Sequence, residues 1–300
     1  MNLQNAVIFL NRQAGSVNSE ALQETLARAF ASHGMTPRIE LIDPADLEDQ
    51  LRQTSAPVII IGGGDGSIRS AAQILVGQET VLGVLPLGTL NHFAKDLGMP
   101  DDLEEAVGAL CHGEVKTIDV GEVNDHVFIN NASLGIYPLA VLLRQRMASR
   151  LGLPKYVAMA WAFAKLLVRF PLLTLQVAQK MVHTPLVFVG NNVYEKNPLQ
   201  NARRLRLDEG VLDVMYLKSK TRLSFIMVTF KGLLSRFENI GELEKMAMTE
   251  LRVFSWRKRV YVALDGEVTK MNTPLHFRVR AKSLHVIMPP AATKKEDDGQ

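Results

Sequence analysis

Hydrophobic runs and amphipathic segments alternate along residues 1–119, a pattern typical of a parallel β-sheet covered by helices. The run at 57–61 has no polar residue after its proline, which indicates burial on both faces and a central place in the sheet. The pattern predicts strands at 7–10, 38–42, 57–61 and 81–85, and helices from residue 19 and at 46–52, 68–76, 91–96 and 102–112.

From residue 115 the pattern changes to short apolar runs with few helices between them. The dipeptide Asn124-Asp125 separates two alternating runs, 117–123 and 127–130, and predicts a hairpin. Because most later strands follow one another without helices, an antiparallel sandwich is favoured. The predicted strands are 172–177, 186–189, 211–217, 251–254, 260–264, 275–279 and 284–288, and the predicted helices are 139–147, 156–168 and 223–234.

These patterns predict an α/β N-terminal domain with a parallel sheet and a β-rich, antiparallel sandwich as the C-terminal domain. We place the first domain at 1–119 and the second at 120–283. The segment 284–292 is expected to pack back on the first domain, and the polar residues 293–300 are expected to form a disordered tail.

Composition and charge narrow the classes of protein that fit. Apolar residues make up 47% and charged residues 22% of the chain, which is globular composition. The lone Cys111 excludes an internal disulfide and favours a reducing compartment, so we expect a cytoplasmic protein. The longest apolar stretch, 156–168, is interrupted by Lys165 and is too short to span a bilayer. A net charge of +3 is too small to indicate a nucleic-acid partner, and a homodimer is the default expectation.

Basic residues cluster in three places along the chain, and each cluster is interpreted first as a solvated face. They would become a binding surface only if the substrate lies in a membrane. The clusters are Arg144, Arg146, Arg150 and Lys155; Arg203, Arg204 and Arg206; and Arg257, Lys258 and Arg259.

A glycine-rich turn, residues 62–67 (GGGDGS), follows the central predicted strand and precedes a helix. Glycines let backbone N–H groups approach an anion closely, and the N-terminus of the helix carries a partial positive charge, so the turn suits phosphate. An acid such as Asp65 in this turn would repel phosphate unless a cation lies between them, which argues for Mg²⁺. The alternative is a tight strand-to-helix turn in which Asp65 or Ser67 caps the helix. The residues alone leave both interpretations open.

A second polar turn, residues 86–91 (PLGTLN), follows the next predicted strand. Ligands of parallel α/β sheets bind outside the carboxyl ends of the strands. We therefore expect the two turns to meet at one crevice, which favours a functional site.

The two turns, 62–67 and 85–94 (LPLGTLNHFA), resemble the diacylglycerol kinase catalytic-domain family, which includes sphingosine kinases, ceramide kinases and bacterial lipid kinases. Its nucleotide domain is similar to those of NAD kinases and phosphofructokinases. Residues 11–15 resemble the family's opening Asn-Pro-x-x-Gly turn with Arg12 in place of proline, and 128–131 resemble the strand that enters the second domain. Residues 264–267 resemble its Asp-Gly-Glu motif. The resemblance covers nearly the whole chain and implies the same two-domain fold.

The resemblance implies ATP as the nucleotide and Asp265 as the general base that takes the proton of a lipid hydroxyl. Glu267 is a weaker candidate for a catalytic role. Without the resemblance, Asp265-Gly266 would be interpreted as a hairpin turn. The nucleotide-binding residues implied are Asn11, Gly62, Gly63, Gly64, Asp65, Gly66, Ser67, Gly88, Thr89 and Asn91.

The resemblance also implies that Asp65 and Asp119 organise Mg²⁺ through water. The sequence departs from the family's pattern at a third such position, where His92 stands in place of the usual acid. A neutral imidazole can bond water but brings no negative charge, and Asp96, four residues on, could substitute.

Bacterial members of the family carry a separate structural metal site, which Asp208 and Glu209 match in position. A solvated turn that opens the strand at 211 is an equal alternative.

The function expected is therefore ATP-dependent phosphorylation of a hydroxyl on a diacylglycerol-like or sphingoid lipid, at an anionic membrane surface that the enzyme binds peripherally. One alternative is an NAD kinase-like or other small-molecule kinase, although the Asn-Glu pair and the Thr-Gly-Ser-Thr-Ala-like stretch of NAD kinases are not found. Another is a non-catalytic nucleotide or lipid sensor; the glycines and Asp265 argue against it, and His92 is the one mark in its favour.

Overall fold

A computed structural model describes residues 3–12, 19–151, 172–177, 180–195, 204, 206–218 and 243–290, with the side chains of 144–151 left out. The predicted helices at 156–168 and 223–234 and the predicted tail at 293–300 lie outside the described residues. The chain divides into two compact units. The first is Met1–Ile118 with Lys282–Gln300, and the second is Asp119–Ala281.

The first unit is a parallel sheet with helices between its strands, as predicted. Its elements are β1 (Ala6–Asn11), α1 (Ser19–Ser32), β2 (Arg38–Ile42), α2 (Leu47–Gln53), β3 (Val58–Gly63), α3 (Asp65–Leu75), β4 (Val81–Pro86), α4 (His92–Asp96), α5 (Leu103–His112) and the last residues of β16 (Leu275–Met288). The sheet runs in the order β2-β1-β3-β4, followed by β16, whose Val286 pairs in parallel with Leu82.

Burial and capping explain why these segments form these elements. All six residues of β3 are buried, as its unbroken apolar run predicted. On α3, Ile68, Ala71, Ala72 and Leu75 recur at helical spacing and are buried, so they form the apolar face of the helix. Helix α5 begins after Asp102, whose carboxylate accepts the N–H of Glu105 at 3.0 Å. The same helix carries Cys111, and burial raises the pKa of this thiol.

The second unit is an antiparallel sandwich, which confirms the predicted fold class. Its elements are β5 (Glu114–Val123, which begins in the first unit), β6 (His126–Phe128), β7 (Asn131–Gly135), α6 (Ile136–Leu151), β8 (Leu173–Val177), β9 (Lys180–Thr184), β10 (Leu186–Asn191), β11 (Leu212–Leu217), β12 (Leu243–Met248), β13 (Glu250–Phe254), β14 (Arg259–Leu264) and β15 (Glu267–Asn272). One layer has the order β12-β11-β10-β7-β14-β15, and β16, β13, β8 and β9 are neighbours in the other. Both layers bury apolar side chains in one core, including Leu134, Val214 and Val262 from the first and Leu175, Val253 and Phe277 from the second.

Four strands were missed by the sequence pattern, namely β7, β9, β12 and β15. Among the described strands, β9, β12 and β15 are last in their layers and are mostly exposed or half-buried, so they lack the apolar alternation on which the prediction depends. Strand β7 (NASLG) contains Asn and Gly, which are depleted in strands. The strands predicted at 275–279 and 284–288 are one strand, β16, in which Lys282 has a left-handed φ of 47°.

No helix within the described residues is long and apolar enough to cross a membrane.

Candidate functional site

The first glycine turn leads from β3 directly into α3. Gly64 is extended (φ −92°, ψ 179°) and α3 begins at Asp65, so the free N–H groups of the helix N-terminus open onto the turn. A β-carbon on Gly62 would collide with the side chain of Leu10 and lie 2.9 Å from Leu87 Cδ1. A larger residue at 62 would therefore have to displace the side chains of Leu10 and Leu87, which favours glycine there independently of any ligand.

The second turn touches the first. A β-carbon on Gly88 would overlap Cα of Gly64, and one on Gly64 would lie 3.4 Å from Cα of Gly88. The two turns therefore meet backbone to backbone at the ends of adjacent parallel strands, as expected from their positions in the sequence. Thr89, the next residue of the second turn, is exposed.

Asp65 joins the first turn to α4. Its Oδ1 accepts the N–H of Phe93 at 2.9 Å, and its Oδ2 accepts the N–H of His92 at 3.2 Å. These are N–H groups that the start of a helix leaves without helical partners. Asp65 thus caps a neighbouring helix, a role that the sequence did not predict beside Mg²⁺, nucleotide binding or a cap for its own helix.

Asn91 fixes the shape of the second turn. It has a left-handed φ of 51°, and its side-chain oxygen accepts the N–H of Gly88 at 2.9 Å while its amide donates to the carbonyl of Pro86 at 3.0 Å. At the end of β1, the Asn11 amide donates to Ser67 Oγ at 3.0 Å. Two residues expected to bind nucleotide therefore also have clear roles in holding the turns.

Asp265 and Gly266 form the two-residue turn between β14 and β15, in which Leu264 pairs with Glu267. Both turn residues have left-handed φ values, 47° and 88°, as a type I′ hairpin requires. Asp265 and Gly266 therefore do form the hairpin turn that their sequence predicts. Glu267 opens β15 with its side chain exposed.

The Asp265 carboxylate accepts three consecutive backbone N–H groups from residues 129–131, the segment that joins β6 to β7 and includes the first residue of β7. Oδ2 accepts from Ile129 at 2.9 Å, and Oδ1 accepts from Asn130 at 2.8 Å and from Asn131 at 3.0 Å. In return, the N–H of Asp265 donates to the carbonyl of Asn131 at 2.9 Å. The carboxylate is consequently fixed in position by backbone groups that point their positive ends at it.

A buried arginine holds the same segment from its carbonyl side. Arg204, only 3% exposed, donates to the carbonyl of Ile129 at 2.7 Å and to Asn130 Oδ1 at 2.8 Å. Asn191 adds a bond from its amide to the carbonyl of Ile129 at 3.1 Å. No sequence pattern pointed to a role for Arg204 or Asn191, and interpreting the cluster around Arg204 as a solvated face was wrong for this side chain.

The acids of the second unit that were expected to hold metal are each bonded within the protein. Asp119 is fully buried and its Oδ2 accepts the N–H of Gly210 at 2.6 Å, so the structure brings it to the turn that carries Asp208 and Glu209. Glu209 accepts the N–H of Val193 at 3.0 Å, and Asp208 pairs with Arg206 at 3.1 Å. The part of the chain that the structure describes has no group of three or more His, Cys, Asp or Glu arranged to hold a metal ion.

Known proteins resemble this chain over its first unit and over most of its length. Residues 5–123 match the family model of the diacylglycerol kinase catalytic domain. A protein of Bacillus subtilis named "Diacylglycerol kinase" is 29% identical over 80% of both chains. A protein of Chromohalobacter salexigens named "Probable lipid kinase YegS-like" is 28% identical over 79% of this chain and 78% of its own.

The fold is shared with a solved structure described as a diacylglycerol kinase from Bacillus anthracis, with a TM-score of 0.68 at 17% identity over 96% of this chain and 98% of the other. The family resemblance inferred from the sequence is confirmed by the match of residues 5–123 to the diacylglycerol kinase catalytic-domain model and by the two relatives named above.

Proposed function

We propose that the protein is an ATP-dependent lipid kinase that phosphorylates a hydroxyl of a diacylglycerol-like or sphingoid lipid at the membrane surface. The observation that carries the proposal is the contact between Gly64 and Gly88, which leaves two turns and the N-terminus of α3 facing the same place with no side chain between the glycines. Such a place accepts phosphate through backbone N–H groups. The names of the bacterial relatives support a lipid as the acceptor.

In this proposal the nucleotide phosphates lie against Gly63, Gly64 and Gly66, and Thr89 contacts the nucleotide from the second turn. Asp65 and Asn91 act mainly by holding the two turns together, because their side chains bond to α4 and to the second turn. Rigid backbone donors are what phosphoryl transfer needs, since it depends chiefly on positioning and charge neutralisation.

Mg²⁺ would arrive with the nucleotide in this proposal. Among the described residues no ready-made metal cage exists, and Mg²⁺ commonly keeps several waters and binds phosphate oxygens together with one or two carboxylates. Asp65 is the acid of the first turn that could reach it through water, and Asp119 is the acid expected from the second unit. The ion would neutralise charge on the phosphates.

Asp265 is the proposed general base. It would take the proton of the lipid hydroxyl as the hydroxyl oxygen bonds to the γ-phosphorus and ADP leaves. The three N–H bonds keep its carboxylate oxygens at fixed positions, which a base acting on a hydroxyl requires.

The test is phosphate transfer from γ-labelled ATP to a panel of diacylglycerol, phosphatidylglycerol, a sphingoid base, an isoprenoid alcohol and NAD. We expect label in one lipid and none in NAD. Label in NAD alone would establish the small-molecule kinase instead. ATP binding without any labelled acceptor would favour the sensor.

A further inference from the structure

The loop between β13 and β14, residues 255–258, carries the most exposed of the large hydrophobic side chains among the described residues. Trp256 is 80% exposed, and the guanidinium of Arg257 lies 4.9 Å from the centre of its ring. Lys258 and Arg259 follow and are exposed as well. An exposed tryptophan next to three cations has no role in the core or in the sites described above.

A cleft of about 280 Å³ opens beside this loop within the second unit. Its apolar lining comes from Leu139 on α6, Leu172 before β8 and Val260 on β14. Trp256 and Tyr261 add aromatic rings, and no Asp or Glu is among its described lining residues. Its charged lining residues are Arg257, Arg259 and Lys270.

We propose that Trp256, Arg257, Arg259, Lys270 and the cleft between them form a surface, here called the Trp256 surface, that docks on an anionic phospholipid bilayer. Tryptophan prefers the headgroup level of a bilayer, where its ring meets apolar chains and its N–H meets water. Arginine and lysine at the same level bind phosphate groups and gain from the negative surface potential. The cleft offers apolar surface for part of a lipid chain.

The charges of this surface argue for a bilayer rather than for a second copy of the chain. In a two-fold dimer the same patch occurs on both partners, so Arg257, Arg259 and Lys270 would approach their own copies and repel. An anionic bilayer supplies the opposite charge over a broad area and accepts the ring of Trp256 at the same time.

Docking and chemistry occupy different ends of β14 in this inference, which rests on the proposed function. The loop with Trp256 precedes β14 and Asp265 follows it, and the six residues of the strand span about 17 Å. Substitutions on the Trp256 surface should therefore weaken binding to vesicles without changing turnover of a lipid that needs no membrane.

The experiment measures binding of the full chain to vesicles of equal parts phosphatidylcholine and phosphatidylglycerol by sedimentation at low salt. We expect Trp256→Ala to lower the vesicle partition coefficient of the protein about tenfold. The double variant Arg257→Gln/Arg259→Gln should lower it about fivefold for each charge removed. Tryptophan emission of the wild type should shift to the blue on binding, and this shift should be absent in Trp256→Ala.

Matched controls lie on the edge strand β9, where Lys180 and Met181 are an exposed cation and an exposed hydrophobic residue away from the cleft. Lys180→Gln and Met181→Ala should bind vesicles as the wild type does. Phosphorylation of a short-chain diacylglycerol, dissolved below its micelle concentration, should be equal in all variants.

Three outcomes separate this inference from the proposed function. If Trp256→Ala and the double variant bind vesicles as strongly as the wild type does, the inference is overturned, whatever the substrate is. If the wild type phosphorylates no lipid but the variants bind vesicles more weakly than it does, the Trp256 surface is supported and only the proposed function is contradicted. A wild-type dimer that Trp256→Ala dissociates, with no vesicle binding, would assign the surface to a second copy and overturn the inference.

Discussion

At the scale of residues, Gly64 and Gly88 look equivalent in the sequence but have different surroundings. Gly64 has a φ of −92°, which any residue adopts, and a β-carbon there would lie 3.4 Å from its nearest neighbour. A β-carbon on Gly88 would overlap Cα of Gly64 and lie 2.8 Å from Asn91 Oδ1. Only Gly64 can therefore be substituted without moving the backbone.

We expect Gly64→Ala to keep the free energy of unfolding within about 0.5 kcal/mol and to weaken ATP binding about tenfold or more, because the methyl group occupies the approach of the phosphates. Gly88→Ala should cost about 1–3 kcal/mol, because it overpacks the contact between the turns. Thermal unfolding and ATP titration calorimetry measure both effects. ATP binding of Gly64→Ala at the wild-type level would refute phosphate contact at this turn.

Asp265 combines a proposed catalytic role with a structural one, and the two can be separated. Asp265→Asn replaces one carboxylate oxygen by an N–H donor that would face a backbone N–H, so we expect a loss of about 1–3 kcal/mol of stability. Turnover should also vanish, whereas ATP binding, which uses the glycine turns, should remain. Activity is compared well below the melting temperature of the variant, so that all molecules are folded.

The matched control for Asp265→Asn is Asp125→Asn, the same substitution in the other two-residue turn with left-handed φ values, between β5 and β6. It should leave activity unchanged. A fully folded Asp265→Asn that still transfers phosphate at the wild-type rate would show that another group takes the proton.

At the scale of elements, the segment between β6 and β7 is held from both sides. Its N–H groups bind Asp265, and its carbonyls accept from Arg204, Asn191 and Tyr194. Loss of either set of bonds would leave backbone groups of this segment unpaired, which would cost free energy. The position of Asp265 therefore depends on residues far from it in the sequence.

We expect Arg204→Met to cost about 3 kcal/mol of stability, because it leaves buried carbonyl and amide oxygens without their donor. Arg204→Lys should recover only part of this, since an ammonium cannot reproduce the planar fork of donors. Arg206→Met is the control, because Arg206 is exposed and pairs with Asp208 at the surface. Urea unfolding compares the variants, and equal stability of Arg204→Met and Arg206→Met would contradict the buried network.

At the scale of the whole molecule, the structural features that depend on a local sequence pattern could be predicted. The features that depend on contacts between residues far apart in the sequence could not. The buried strands β1, β3 and β4 and both glycine turns have strong local signals, so the parallel sheet and the meeting of the two turns could be predicted. The edge strands β9, β12 and β15 carry weak signals because little of them is buried. The bonds of Asp65 to α4 and of Asp265 to residues 129–131 join residues 27 to 136 positions apart, which no local pattern encodes.

The first unit is built from both ends of the described chain, because β16 places Leu284, Val286 and Ile287 in its core. Truncation after Ala281 would remove these three buried side chains, each worth about 1.5–3 kcal/mol. That sum is comparable to the whole stability of a domain. We expect the truncated protein to lose both the unfolding transition of the first unit and ATP binding. Truncation after Pro290, which removes none of the described core, should keep both. Calorimetric scans with and without ATP compare the two, and ATP binding by the shorter chain would show that the parallel sheet is complete without β16.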